Sequence, residues 1–92
     1  MKVRKHMLIS GDVQGVGFRY RANYAALGLG LTGYVRNLYD GRVELEVQGD
    51  QELISRFLGE IDAGSFVHID DMETENMPLD ENERGFKVLH SY

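Results

Sequence analysis

The sequence predicts an α+β sandwich: one antiparallel sheet with two helices packed on one of its faces, in the order β-α-β-β-α-β, plus a short extra C-terminal strand. Three observations carry this. Period-two alternation is clearest at residues 42–48, where Val43, Leu45 and Val47 face one way and Arg42, Glu44, Glu46 and Gln48 the other. Leu53, Ile54, Phe57, Leu58 and Ile61 form an apolar stripe at helical spacing. The chain has 92 residues, enough for one modest core and too few for two, so residues 1–92 are read as a single domain.

In chain order, residues 3–10 read as a strand with Met7 and Ile9 on one face and His6 and Ser10 on the other. The glycine-rich residues 11–17 read as a loop. Residues 18–27 read as a helix, since Phe18, Ala22, Ala25 and Ala26 fall near one face, and Gly28 is placed as its stop. Residues 32–38 form the second strand, and Tyr39-Asp40-Gly41 the hairpin turn, because Asp-Gly readily supplies positive φ. After the strand at 42–48, Asp50 is the expected N-cap of a second helix with Glu52 in its first turn, and residues 63–65 end it. Residues 66–75 contain a fourth strand, 76–85 an acidic irregular connection, and 86–90 a last strand with Phe86 and Val88 on one side. Right-handed crossovers convert this order into the ferredoxin-like sandwich, whose uncovered sheet face meets solvent. That fold hosts many functions, so function has to come from a site.

Composition narrows the classes. The formal net charge of −5 disfavours general binding to nucleic acid or to an anionic membrane, but leaves room for a small anion held by local positive potential. With no cysteine there is no disulfide, no thiolate nucleophile and no zinc–thiolate site. A domain this small without disulfide staples is expected in the cytoplasm. The apolar run Met7-Leu8-Ile9 is too short for a signal peptide or a membrane span. With no obvious apolar outer strand, the domain is expected to be a monomer.

The junction between the first strand and the first helix is the candidate site. Gly11, Gly15 and Gly17 fall within a few positions of one another, and glycines let backbone N–H groups turn toward a ligand. The following helix adds its unpaired N–H groups and the positive end of its dipole. Arg19 sits in its first turn, and a guanidinium can fork onto two phosphate oxygens. Other glycine loops fit worse: no lysine lies between Lys5 and Lys87 to complete a Walker loop, and Gly15-Val16-Gly17 lacks the third glycine of a dinucleotide fingerprint. The same glycines also suit a plain strand-to-helix turn with Arg19 as a solvated charge, and residue chemistry leaves both readings open. Asn37, at the end of the second strand, has an amide suited to an anion or a water molecule, or to stabilising the turn.

Two stretches resemble a known family. Ile9-Ser10-Gly11-Asp12-Val13-Gln14-Gly15-Val16-Gly17-Phe18-Arg19 is similar to the first acylphosphatase signature, and Gly33-Tyr34-Val35-Arg36-Asn37, followed by Gly41, Val43 and Gly49, resembles the second. Phe86-Lys87-Val88 resembles the family's ending, so the likeness spans the chain and is weakest over residues 66–85. The resemblance implies a hydrolase that cleaves the carboxyl–phosphate anhydride of small acyl phosphates, with neither metal, cofactor nor phosphoenzyme. It implies that Arg19 is the phosphate-binding catalytic arginine and that Asn37 positions the attacking water. It also implies that the backbone amides of Gln14, Gly15, Val16, Gly17, Phe18 and Arg19 hold the phosphate, and that inorganic phosphate is product and inhibitor. Gly17 occupies a position that varies in the family, and Tyr39 stands where many bacterial relatives have proline.

Other features are expected to be structural. The acidic residues from Asp70 to Glu83 lack EF-hand spacing and read as a solvated surface. His6, His68 and His90 show no ligand spacing. Tyr20, Tyr24 and Tyr34 read as packing residues. An RNA-recognition domain shares the element order, but needs a basic, aromatic third strand, and residues 42–48 hold two glutamates and no aromatic.

Overall fold

The computed structural model describes residues 1–63 and 67–90. The elements are β1 (Lys2–Asp12), α1 (Phe18–Gly28), β2 (Thr32–Asn37), β3 (Val43–Asp50), α2 (Gln51–Ile61), β4 (His68–Met77) and β5 (Phe86–Val88). They build one sheet in the order β4-β1-β3-β2-β5. β1 pairs antiparallel with β3 and β4, and β2 antiparallel with β3. β5 joins β2 in parallel, so the sheet is mixed rather than wholly antiparallel. This follows from the route of the chain: residues 78–85 carry it from one edge of the sheet to the other, and it re-enters running in the direction of β2.

The apolar face of the sheet and the two helices share one core. Met7, Ile9, Val35, Val43, Leu45 and Val47 from the strands meet Phe18, Ala22, Ala26, Ile54, Phe57 and Ile61 from the helices. The rings of Phe57 and Phe86 pack at 6.2 Å between centroids, tilted by 56°. The helix α1 buries alanines rather than tyrosines, which brings its backbone close to its neighbours. Tyr20 and Tyr24 lie on its outer side, 63% and 76% exposed, so neither is a packing residue.

Both helix ends are explicit in the backbone. Asp50 caps α2, its carboxylate accepting from Glu52 N–H at 2.9 Å. α1 has Gly28 as its last helical residue and Leu29 as its cap. It ends in a Schellman motif around Gly30, which takes φ +68°; Leu31 N–H donates to Ala26 O at 2.9 Å and Gly30 N–H to Leu27 O at 3.3 Å. Leu31 then turns inward and is buried.

β1 is longer than the sequence suggests, and Gly11 belongs to it. The register against β4 shifts between Ser10 and Gly11, so that Ser10 faces Asp71 and Gly11 faces Ile69. A Cβ on Gly11 would lie 2.1 Å from His68 O. This glycine therefore serves strand approach and does not belong to the loop at 13–17. α2 ends at Ile61, and residues 64–66, where its stop and the start of the fourth strand are expected, lie outside the described residues.

The solvent face of the sheet is covered by charge pairs. Arg4, only 6% exposed, donates Nε to Glu46 at 2.6 Å and forks onto both oxygens of Glu83 at 2.7 and 3.0 Å. Gln48 exchanges two hydrogen bonds with the backbone of Asp80, at 2.9 and 2.8 Å. Arg4 and Gln48 thus strap the 78–85 connection onto the sheet. Farther along, Glu44 accepts from Arg36 Nε at 2.5 Å and lies 2.8 Å from His6 Nε2. This is a lattice of ion pairs and not a platform for stacked bases.

These pairs make the fold acid-sensitive. Burial pushes the Glu44 and Glu83 carboxyls up, but it is outweighed for Glu44 by the bonds from His6 and Arg36 and their charges, and for Glu83 by the bond from Arg4 and the neighbouring Thr32 hydroxyl together with the Arg4 and Lys87 charges, which leaves both below the usual range. A depressed carboxyl stabilises the fold above its unfolded pKa and loses that contribution as pH falls through its folded value. Thermal unfolding should therefore be nearly flat from about pH 5 to 7 and fall steeply below about pH 4.5, near the unfolded glutamate value. Glu83→Gln should lower the Tm at neutral pH and flatten the acid limb; an acid limb identical to wild type would contradict this assignment.

Candidate active site

The loop between β1 and α1 is shaped by its glycines. Gly15 and Gly17 have φ of +73° and +78°, in the left-handed region, and a Cβ at either would meet open space. They are required by backbone conformation rather than by crowding, and such turns point successive N–H groups to one side. Val13 and Phe18 anchor the two ends of the loop in the core, each about 1% exposed. Phe18 can therefore serve a ligand only through its backbone.

The helix start that follows is unlike that of α2. Gly17 is the N-cap of α1, with no side chain bonded to the first turn and no acidic residue in it. α2 has Asp50 as its cap and Glu52 in its first turn. The first N–H groups of α1 are thus free of side-chain partners at the positive end of the dipole. Arg19 adds a cation there, half-buried and with no carboxylate partner among the described residues. A cation at a helix N-terminus is unfavourable by itself, and an anion at the same point reverses the sign.

Asn37 ends β2 opposite Val43 of β3. Its Oδ1 is buried without a hydrogen-bond partner among the described residues. Buried amide oxygens are normally paired, so this unsatisfied acceptor sets Asn37 apart from the other buried polar groups of β2 and β3, Thr32 excepted. The hairpin beyond it closes with Leu38 N–H on Arg42 O at 2.8 Å and Gly41 N–H on Leu38 O at 3.2 Å. Gly41 takes positive φ, +95°, and the loop is the three residues Tyr39-Asp40-Gly41, as the sequence predicts.

A cavity of about 150 Å³ joins these elements, lined by Val13, Gly15, Gly17, Phe18, Arg19, Tyr20 and Asn37. It is the size of a small anion rather than a nucleotide. Arg19 and Asn37, eighteen positions apart in the chain, meet on its wall, as do Gly15, Gly17 and Phe18. Val16 packs against the core beside it, and the Gln14 side chain is turned away to the hairpin, donating to Leu38 O and Arg42 O. Tyr20, expected to be a packing residue, is instead an exposed residue that lines this cavity. A larger, shallower groove of about 680 Å³ between α1 and α2 adjoins it at Gly17, and holds neither Arg19 nor Asn37.

The fold and cavity define a ferredoxin-like domain with a small pocket at the β1–α1 junction, walled by Arg19 and Asn37 among apolar neighbours. The sequence profile of acylphosphatase matches residues 5–88. An acylphosphatase of Clostridium perfringens is 44% identical over 87 residues, covering 94% of this chain and 98% of that one. One of Geobacillus kaustophilus is 41% identical over 88 residues, covering 95% and 94%. The crystal structure of acylphosphatase from Bacillus subtilis superposes with a TM-score of 0.87 at 30% identity, over 95% of this chain and 98% of that one. The chain belongs to the acylphosphatase family, hydrolases acting on acyl phosphates.

Proposed function

We propose that this protein hydrolyses small acyl phosphates to a carboxylate and inorganic phosphate by direct in-line attack of water on phosphorus, with neither metal nor phosphoenzyme. The observation that carries the reading is the cavity wall on which Arg19, the uncapped start of α1 and Asn37, whose Oδ1 has no partner among the described residues, converge.

The phosphoryl group binds in the loop. Backbone N–H groups of residues 14–19 and the Arg19 guanidinium contact its nonbridging oxygens and stabilise charge as it redistributes. Asn37 Oδ1 accepts a hydrogen bond from a water and aims its lone pair at phosphorus, opposite the acyl oxygen. The new P–O bond forms as the acyl P–O bond breaks, and the bonding pair leaves with the carboxylate. The water's proton passes to a nonbridging phosphate oxygen. A carboxylate is a good leaving group, so no strong general acid is required, and positioning with charge stabilisation suffices. Among the described residues the cavity lining carries no carboxylate or imidazole, and its cation is a guanidinium, which supports the metal-free reading.

The test is hydrolysis of acetyl phosphate in the presence of a chelator. Turnover should persist, and inorganic phosphate should inhibit competitively. Asn37→Ala should lower kcat by roughly 10²–10³, the range for losing one pre-organised group, with little change in phosphate affinity. An inert wild type, or activity abolished by the chelator, would refute the proposal.

A further inference from the structure

We propose that Gln14 is a positioning residue for this hydrolysis, its side-chain amide bolting the phosphate loop to the hairpin so that Asn37 keeps a fixed place relative to Arg19. The inference rests on the acylphosphatase reading above and concerns a contact that the backbone role of residues 14–19 does not involve.

Gln14 Nε2 donates to Leu38 O at 2.7 Å and to Arg42 O at 2.9 Å. Two carbonyl acceptors leave no ambiguity over which end of the amide faces the hairpin, because the Oε1 end would be repelled by both. The two acceptors are not arbitrary positions. Leu38 directly follows Asn37, and Arg42 directly precedes Val43, the cross-strand partner of Asn37. Gln14 therefore grips both strands one residue beyond the Asn37 pair. Each carbonyl also accepts within the hairpin or from its own turn, Leu38 O from Gly41 N–H and Arg42 O from Leu38 N–H. The hairpin can close without Gln14, so these bonds are not needed to make the turn. What they add is a link across 24 and 28 positions of sequence between the two halves of the site.

The link matters because the halves have separate supports. Arg19 is carried by α1, and Asn37 by the end of β2, where the strand gives way to a loop with exposed Tyr39 and Asp40. A reaction run by positioning is sensitive to their relative placement. Phosphate binding draws only on the loop and helix start, whereas aiming the water needs both halves. Loss of Gln14 should accordingly act on turnover and spare phosphate affinity.

Gln14→Met keeps length and bulk and removes both donors. With acetyl phosphate it should lower kcat by about tenfold to a hundredfold, as expected for misplacing a catalytic group. The inhibition constant of inorganic phosphate should stay at the wild-type value. On an Asn37→Ala background the same substitution should cost almost nothing, the two kcat values agreeing within about twofold, because there is no asparagine left to misplace. The proposal is overturned if Gln14→Met costs as much on that background as alone, if phosphate affinity falls in step with kcat, or if kcat is unchanged. Should Gln14→Met unfold at the assay temperature, Gln14→Asn, whose shorter amide cannot span both carbonyls, carries the same comparison. An inert wild type would refute the acylphosphatase reading, and the bolt is then judged from the Asn37 side-chain amide resonances. Shifted or broadened resonances in Gln14→Met support the bolt, and unaltered ones overturn it.

Discussion

Arg19→Ala is expected to reduce kcat/KM for an acyl phosphate by at least roughly 10²–10³ while leaving the fold as stable as before, or slightly more so. The two halves of this expectation have one cause. Arg19 sits in the first turn of a helix whose N-terminus has no cap and no acidic residue, and it has no carboxylate partner among the described residues. Without an anion, its charge opposes the helix dipole by about 0.3–1 kcal/mol, so truncation relieves a strain. With a phosphoryl group bound, the same charge forks onto two oxygens in a small, partly enclosed cavity. Arg19→Lys should recover little, since an ammonium places a point charge but cannot fork. A thermal melt beside a kinetic assay reads both halves. A Tm falling together with activity would make Arg19 a structural residue and remove the basis for its catalytic role.

The largest effect on stability is expected at Gly33, far from chemistry. Gly33 takes φ +143° in β2, and a Cβ there would lie 1.8 Å from Glu46 O and 2.8 Å from Glu46 C. Those are backbone atoms of β3, which is held on its other side by β1 and cannot retreat. On the opposite edge Gly33 pairs with Phe86 of β5 and donates to Gly85 O at 3.1 Å, so β2 is fixed there too. Alanine must strain φ and also push β2 and β3 apart, each a known source of loss. Gly33→Ala should cost about 3–5 kcal/mol, lowering the Tm by roughly 15 °C or more for a domain of this size. Chemical denaturation would check the free energy. A loss under about 1 kcal/mol would mean that the sheet can breathe at its centre.

Gly33 also shows how legibility was distributed along the sequence. It stands in the stretch that resembles a family signature, yet only the paired backbone explains why no side chain fits. The order of elements was readable because each carries its own periodicity, as Val43, Leu45 and Val47 do for β3 and Ile54, Phe57 and Ile61 for α2. Which glycine takes the left-handed turn after α1 was not, because Gly28 and Gly30 offer equal local signals. The choice falls to Leu31, which must reach the core from the position after the left-handed residue. The outward turn of Tyr20 and Tyr24 was hidden for a similar reason: α1 buries its small face, the reverse of what residue size suggests. The parallel entry of β5 depends on a crossing at 78–85 that is pinned by Arg4 and Gln48, two polar residues paired across β1 and β3 and far in sequence from that crossing.

The site divided in the same way. Glycine spacing and Arg19 pointed to the loop, and Asn37 gained meaning only from the family resemblance until the sheet brought it to the same cavity. The split among the glycines was invisible: Gly11 is set by β4, while Gly15 and Gly17 are set by the loop's own backbone. The Gln14 side chain left no trace in local pattern, since its partners lie a hairpin away.

The account's central claim is that water attacks phosphorus while the loop, Arg19 and Asn37 hold the two reactants in line. Hydrolysis of acetyl phosphate in ¹⁸O-labelled water with a chelator present, corrected for the uncatalysed reaction, tests it most directly. The account predicts that the label appears in inorganic phosphate and is absent from acetate. Label in acetate would place the attack at the carbonyl carbon and contradict it, as would the absence of any enzyme-dependent incorporation.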